Sequence, residues 1–178
     1  MASTGIYLAL GANLGNRQAN IALALRMLEP LVRVEAVSSL YESPPQGGAL
    51  SLSKGPAGQP PYYNAACRVI TGLRPLALLR HVQRVEDAIG RRAGERWGPR
   101  PVDIDIALYE DLVLSAAGLT IPHPMLKERA FVLRPVLDID PDAVDPASGE
   151  RLADVLARVG EGSLKLIVAG EWHGVALI

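Results

Sequence analysis

One long amphipathic stretch, Pro75 to Ile89, sits between two runs that read as strands, and this juxtaposition most restricts the folds open to the chain. Leu76, Leu79, Val82, Val85, Ala88 and Ile89 are spaced to share one helix face, and Gly90 ends the pattern. Tyr62 to Thr71 before it and Val102 to Tyr109 after it are short, apolar and rich in strand-forming residues. Upstream, Ile6 to Leu10 reads as a buried strand and Gly11 to Asn16 as a turn, with Asn16 placed to cap a helix over Arg17 to Leu31. Val32 to Tyr41 reads as a further strand. Arg129 to Leu137 holds a short apolar element, Leu152 to Val159 a helix and Leu164 to Val168 a last strand. Helices and strands are mixed without regular alternation, so the expected class is α+β rather than a doubly wound sheet.

Two irregular stretches interrupt this pattern. Pro44 to Pro61 is crowded with Gly and Pro, and Arg91 to Pro101 is dense in arginine. Irregular stretches as long as the first are uncommon inside compact domains and are often functional lids.

At 178 residues and 49% hydrophobic, the chain is the size of one domain with a full core. A net charge of −1 gives no global reason to expect nucleic acid or an acidic membrane as partner. Cys67 is the sole cysteine, which excludes an internal disulfide and a Cys-rich zinc site, and its apolar neighbours suit a small buried hydrophobe. The N-terminus lacks the basic and apolar regions of a secretory signal, and no run reaches the ~18 apolar residues of a membrane span. The expectation is a cytoplasmic monomer, with residues 1–162 as one domain and 163–178 as an extension packed on it.

The sharpest chemical feature is Arg100-Pro101-Val102-Asp103-Ile104-Asp105-Ile106. Side chains alternate along a strand, so Ile104, Ile106 and Leu108 are expected to face the core while Asp103 and Asp105 project together from the other face, about 6.6 Å apart. Two close carboxylates repel, and a hard cation such as Mg²⁺ relieves the repulsion while binding phosphate oxygens. An ordinary solvated strand face would carry the same pair. Arg91, Arg92, Arg96 and Arg100 lie just upstream with Trp97 among them, and guanidinium groups match phosphate oxygens in pairs. Carboxylates for magnesium beside arginines for phosphate make a phosphoryl-transfer arrangement. A salt-bridged surface, with Glu86 and Glu95 as partners, is the plainer alternative for the arginines.

No P-loop is present, and Gly11-Ala12-Asn13-Leu14-Gly15 lacks dinucleotide spacing, so it reads as a turn. His123 lies between Pro122 and Pro124, which fix the backbone around it, and Arg129 follows closely. Tyr62-Tyr63-Asn64 offers aromatic rings beside an amide, a combination suited to a flat heterocycle.

Taken in order, Leu10 to Gly15, Tyr41-Glu42-Ser43-Pro44-Pro45, Tyr62 to Ala65, Arg96-Trp97-Gly98-Pro99-Arg100-Pro101-Val102-Asp103-Ile104-Asp105, Ile121-Pro122-His123-Pro124 and Arg129 to Pro135 resemble the 6-hydroxymethyl-7,8-dihydropterin pyrophosphokinases of folate biosynthesis. The resemblance covers roughly residues 5 to 158. It implies a ferredoxin-like, mainly antiparallel sheet layered between helices. It also implies that ATP binds first, that two magnesium ions take part, and that the pyrophosphoryl unit passes to a reduced pterin with AMP leaving. By position, Asp103 and Asp105 would carry both ions. Arg91, Arg100, His123 and Arg129 would contact ATP phosphates, and Trp97 would close over the site. The pterin would lie between Tyr62 and Phe131, with Asn64 and the backbone near Ser43, Pro44 and Gln46 reading its edge. Glu86 also matches a family position, with no role attached. The loop after Pro45 looks longer than usual for the family, and Gly162 to Ile178 has no counterpart in the resemblance. Two rivals would need fewer of these clusters. Another Asp-x-Asp metal-dependent transferase would not require the Tyr/Asn/Phe pocket, and a non-catalytic nucleotide-binding domain would not require both aspartates.

Overall fold

The computed structural model describes residues 5–45, 58–90 and 101–174. A central, mainly antiparallel sheet is built from β1 (Ile6–Ala12), β2 (Val32–Val37), β3 (Leu40–Ser43), β4 (Tyr62–Thr71), β5 (Asp103–Tyr109) and, last in the chain, β8 (Lys165–Val168). Its order is β5-β1-β4-β3-β8, with β2 also on β4, beyond the stretch that β3 occupies. The short strands β6 (Leu114–Ala116) and β7 (Leu119–Ile121) form a separate hairpin. Helices α1 (Arg17–Met27) and α2 (Pro75–Ile89) cover one face, and α3 (Ala130–Ile139) and α4 (Leu152–Val159) cover part of the other. The expected α+β, mainly antiparallel, layered architecture is the one observed.

Each layer follows from alternation along the strands. Leu8, Leu10, Ala65, Cys67, Val69, Ile104 and Ile106 point towards α1 and α2 and join Ile21, Leu25, Leu78 and Val82 in one core. Tyr7, Ala9, Ala66 and Leu108 point the other way, onto Leu133, Val136 and Leu137 of α3 and Val155 of α4. Cys67 is fully buried, and burial pushes its thiol up to about 12, as expected of a small hydrophobe.

Helix ends obey local chemistry. The Asn16 side chain accepts from the Ala19 N–H and starts α1. That helix stops at Met27 rather than running to Leu31, because Pro30 lies just beyond and cannot continue it. Pro75 opens α2, and Gly90, at φ 117°, closes it in a backbone region that other residues rarely adopt.

The short apolar element expected at Arg129 to Leu137 lies largely in helix α3. Two expectations need correction. The strand expected over Val32 to Tyr41 is broken at Ser38 and Ser39 into β2 and β3. Leu108 does not share a face with Ile104 and Ile106. Leu8 pairs with Ile106 whereas Tyr7 pairs with Leu108, leaving Ala107 as an extra residue in β5. This bulge flips the alternation, so Leu108 enters the α3 side of the core.

Candidate active site

The upper part of the α3-facing side of the sheet is where the chemistry collects. Three strands bring it together through their register. Gly11 on β1 stands opposite Asp103 on β5 and opposite Asn64 on β4, and Asn64 stands opposite Tyr41 on β3. Asp105 is opposite Ala9, one step along the same face. Opposed residues share a face, so the aspartates, Gly11, Asn64, Tyr62 and Ser43 all project to one side. The expectation that Asp103 and Asp105 project together, away from Ile104 and Ile106, holds.

Gly11 forms the floor between the two ends of this row. A Cβ there would come within 3.5 Å of Tyr62 Cδ1 and 3.7 Å of Asn64 Oδ1, so the missing side chain leaves that space open. Asn64 is 4% exposed and its Nδ2 donates to Ser43 Oγ at 2.8 Å, which ties β4 to the last residue of β3. Pro44 follows directly. Arg17, in the first turn of α1, donates to Glu42 at 3.1 Å and to the Pro61 carbonyl at 2.7 Å, and its guanidinium lies 3.7 Å over the Tyr63 ring. It thereby joins α1, the end of β3 and the start of β4 behind the pocket.

At the other end, the bulge places His123. The His123 N–H donates to the carbonyl of Ala107 at 3.0 Å. Its Nδ1 accepts from the Met125 N–H at 3.1 Å, which leaves the proton of the neutral ring on Nε2. That nitrogen stands 3.8 Å from Asp105 Oδ2, beyond hydrogen-bond range. Burial pushes the imidazole down to about 4, assisted by Arg129 and opposed by Asp103. His123 is therefore neutral at physiological pH, with an N–H donor beside the carboxylates. The Arg129 guanidinium lies 5.6 Å from the centre of the Phe131 ring, where α3 begins.

The carboxylate strand is itself held. Glu86 of α2 is 2% exposed, and its Oε1 accepts from the N–H of Ile104 at 2.7 Å, between the two aspartates. On the outermost strand this backbone donor finds a carboxylate in place of a neighbouring strand. Asp105 is 43% exposed at its side chain and so can be reached from solvent. Two hard oxygen donors on one strand face fit magnesium, which commonly takes one or two carboxylates and completes its shell with water and phosphate.

The site residues named from sequence thus fall into two sets. Asp103, Asp105, His123, Arg129, Phe131, Ser43, Pro44, Tyr62 and Asn64 lie on or around this face. Gln46, Arg91, Arg92, Arg96, Trp97 and Arg100 lie outside the described residues.

Residues 7–141 match the model of the 7,8-dihydro-6-hydroxymethylpterin-pyrophosphokinase (HPPK) family. The chain belongs to this family. Among relatives, an Aquifex aeolicus 2-amino-4-hydroxy-6-hydroxymethyldihydropteridine pyrophosphokinase is 37% identical over 79% of this chain and 83% of its own length. A Methylorubrum extorquens protein of the same name is 37% identical over 92% of this chain and 99% of its own. The folic acid synthesis protein fol1 of Schizosaccharomyces pombe is 39% identical over 90% of this chain, which spans 21% of that longer protein. In fold, the chain resembles wild-type Plasmodium falciparum HPPK-DHPS solved with pteroate, with a TM-score of 0.68 and 14% identity over 89% of this chain and 45% of that one.

The sequence leaves two contributors to this HPPK face without a role. Glu86 matches a family position and is also a possible salt-bridge partner for the arginines, yet it is buried and holds β5; a carboxylate near the end of a helix, flanked by Val85 and Ile89, gives no sign of that. The Arg17–Glu42 pair joins residues too distant in sequence for spacing to reveal.

Proposed function

We propose that this chain transfers the terminal pyrophosphoryl unit of ATP to the hydroxymethyl oxygen of 6-hydroxymethyl-7,8-dihydropterin, giving AMP and the pterin diphosphate in folate biosynthesis. The observation that carries this reading is the in-register row Asp103–Gly11–Asn64, with two carboxylates at one end and a buried amide at the other. The relatives named as pyrophosphokinases support the same reaction. Neither a nucleotide-sugar transferase nor a plain nucleotide-binding domain would need both ends.

Asn64 and the adjoining Ser43 and Pro44, with Gln46, read the polar edge of the pterin, while Tyr62 and Phe131 supply flat apolar surface for its rings. The open floor at Gly11 lets the hydroxymethyl arm run from that pocket towards Asp103. His123, neutral and donating through Nε2, contacts a phosphate oxygen, and Arg129 adds a fixed positive charge. Arg91 and Arg100 extend the phosphate contacts, and Trp97 covers the site. Two magnesium ions, held by Asp103 and Asp105, would neutralise phosphate charge and favour departure of the α-phosphate. In the transfer, a bond forms between the hydroxymethyl oxygen and the β-phosphorus, the bond from that phosphorus to the α-phosphate oxygen breaks so that AMP leaves with that oxygen, and the hydroxyl proton is released to water. The chain acts as a monomer in the cytoplasm, with residues 163–178 as an extension of the domain formed by 1–162; among the described residues no helix is long and apolar enough to cross a membrane.

Incubation with Mg-ATP and the hydroxymethyl-dihydropterin tests the proposal. AMP and pterin diphosphate should appear one for one. Folded protein that yields neither refutes it.

A further inference from the structure

The family match ends at residue 141, yet the chain continues and returns to the sheet. Strand β8 pairs antiparallel with β3, joining Leu40 to Val168, Tyr41 to Leu166 and Glu42 to Lys165. Strand β3 has four residues, and on its other side it pairs with β4 through Tyr41, Glu42 and Ser43 alone. Half of its ladder therefore comes from the extension.

The joint between β2 and β3 is held in the same way. Ser38 is 2% exposed; its N–H donates to the Ala66 carbonyl at 2.9 Å, and its Oγ accepts from the Ala66 N–H at 2.8 Å. Its remaining backbone group, the carbonyl, accepts from Trp172 Nε1 at 2.9 Å. The Trp172 ring packs on the α1/α2 core, and buried His173 stands edge-on to it at 5.7 Å. Ser38 is thus clamped between β4 and the extension, five residues before Ser43 and two strands' breadth from Gly11.

From this geometry we infer that Trp172 and β8 hold β3 in the register at which Ser43 meets Asn64, so the extension sets affinity for the acceptor and not for ATP. The inference rests on the function proposed above. Trp172 is a positioning residue: it acts on the pocket through β3 and touches neither substrate. Its selectivity follows from the strand order. β8 and β5 occupy opposite edges of the sheet, about 19 Å apart at ~4.8 Å per strand, so the backbone ladder links the extension to the carboxylate end through β3, β4 and β1, whereas it meets the Ser43 strand directly.

The test compares full-length wild type with Trp172→Phe, which keeps a ring and removes the N–H, and Trp172→Ala, which removes both. Mg-ATP affinity is measured on the free protein and pterin affinity on protein saturated with a non-hydrolysable Mg-ATP analogue, because ATP is expected to bind first; both are read by calorimetry, well below the melting temperature. Losing one hydrogen bond should weaken pterin binding about 3- to 10-fold in Trp172→Phe, and more in Trp172→Ala, with ATP affinity within about twofold. A lower melting temperature with both affinities unchanged would make the extension a stabiliser only and overturn the inference. Equal weakening of both ligands would overturn it as well, as would a Trp172→Phe variant that fails to fold. Wild-type protein that binds no pterin even when saturated with the Mg-ATP analogue would instead defeat the function proposed above.

Discussion

The two faces of the sheet are made by the same strands, and they are used in opposite ways. Towards α1 and α2, β1, β4 and β5 present Leu8, Leu10, Cys67, Val69, Ile104 and Ile106, all nearly or fully buried. Towards α3, Tyr7, Ala9, Ala66 and Leu108 close a second core, and beyond it the same strands present Gly11, Asn64, Asp103 and Asp105. Those last residues are small or polar and close no apolar core. The packed face fixes the backbone to within the tolerance of close-packed side chains. The open face spends that rigidity on the placement of polar groups, as a preorganised site requires. Exchange of residues between faces should therefore have opposite effects on stability and on turnover.

The strongest way to break this contrast is to remove an aspartate. Asp103→Ala and Asp105→Ala should each lower kcat by ~10³-fold or more, the scale of a lost transition-state charge contact, with little change in thermal unfolding. Near-normal turnover in either variant would move the metal site elsewhere. Leu10→Ala, one residue from the open face, should do the reverse. Denaturant unfolding should show a loss of about 2–5 kcal/mol from the cavity, while kcat in the cold, folded protein stays near wild type. Asn64→Ala sits between these extremes: pterin affinity should fall about 10- to 100-fold by calorimetry, leaving Mg-ATP binding intact. The smallest effect sharpens the electrostatics. NMR titration of His123 should show a midpoint near 4, rising in Arg129→Ala. Because its folded pKa lies below the unfolded value of 6.5, the unfolded state binds more protons between the two, and stability should fall as pH drops through that window. His123→Gln should flatten that slope.

Much of this contrast was legible in the sequence where periodicity ran long enough. β4, α2 and α4 have the bounds their patterns predicted, because ten, fifteen and eight residues of consistent spacing leave little choice. The hairpin of β6 and β7 escaped notice, since three-residue strands carry no measurable period. The break at Ser38 escaped as well: its cause is a pair of bonds to Ala66 and one to Trp172, none of them local. Asp103 and Asp105 were readable from the Asp-x-Asp spacing itself. Asn64 was readable as a pocket residue, but not its place across Gly11 from Asp103, because register between strands decides which amide faces which carboxylate. Glu86 shows the limit most clearly, for an acidic residue on a helix looks solvated until the strand it supports is in place.

The extra residue at Ala107 has a consequence for how such a chain can change over generations. Its methyl group is buried in the core on the α3 side, so only another small residue would fit there. Its presence as a unit of length is another matter. Loss of one codon there would give β5 a more regular ladder, yet it would turn either the aspartates or Leu108 and Tyr109 to the wrong side, and it would take away the carbonyl that seats His123. At this position, heredity has to preserve a count of residues as well as a small side chain.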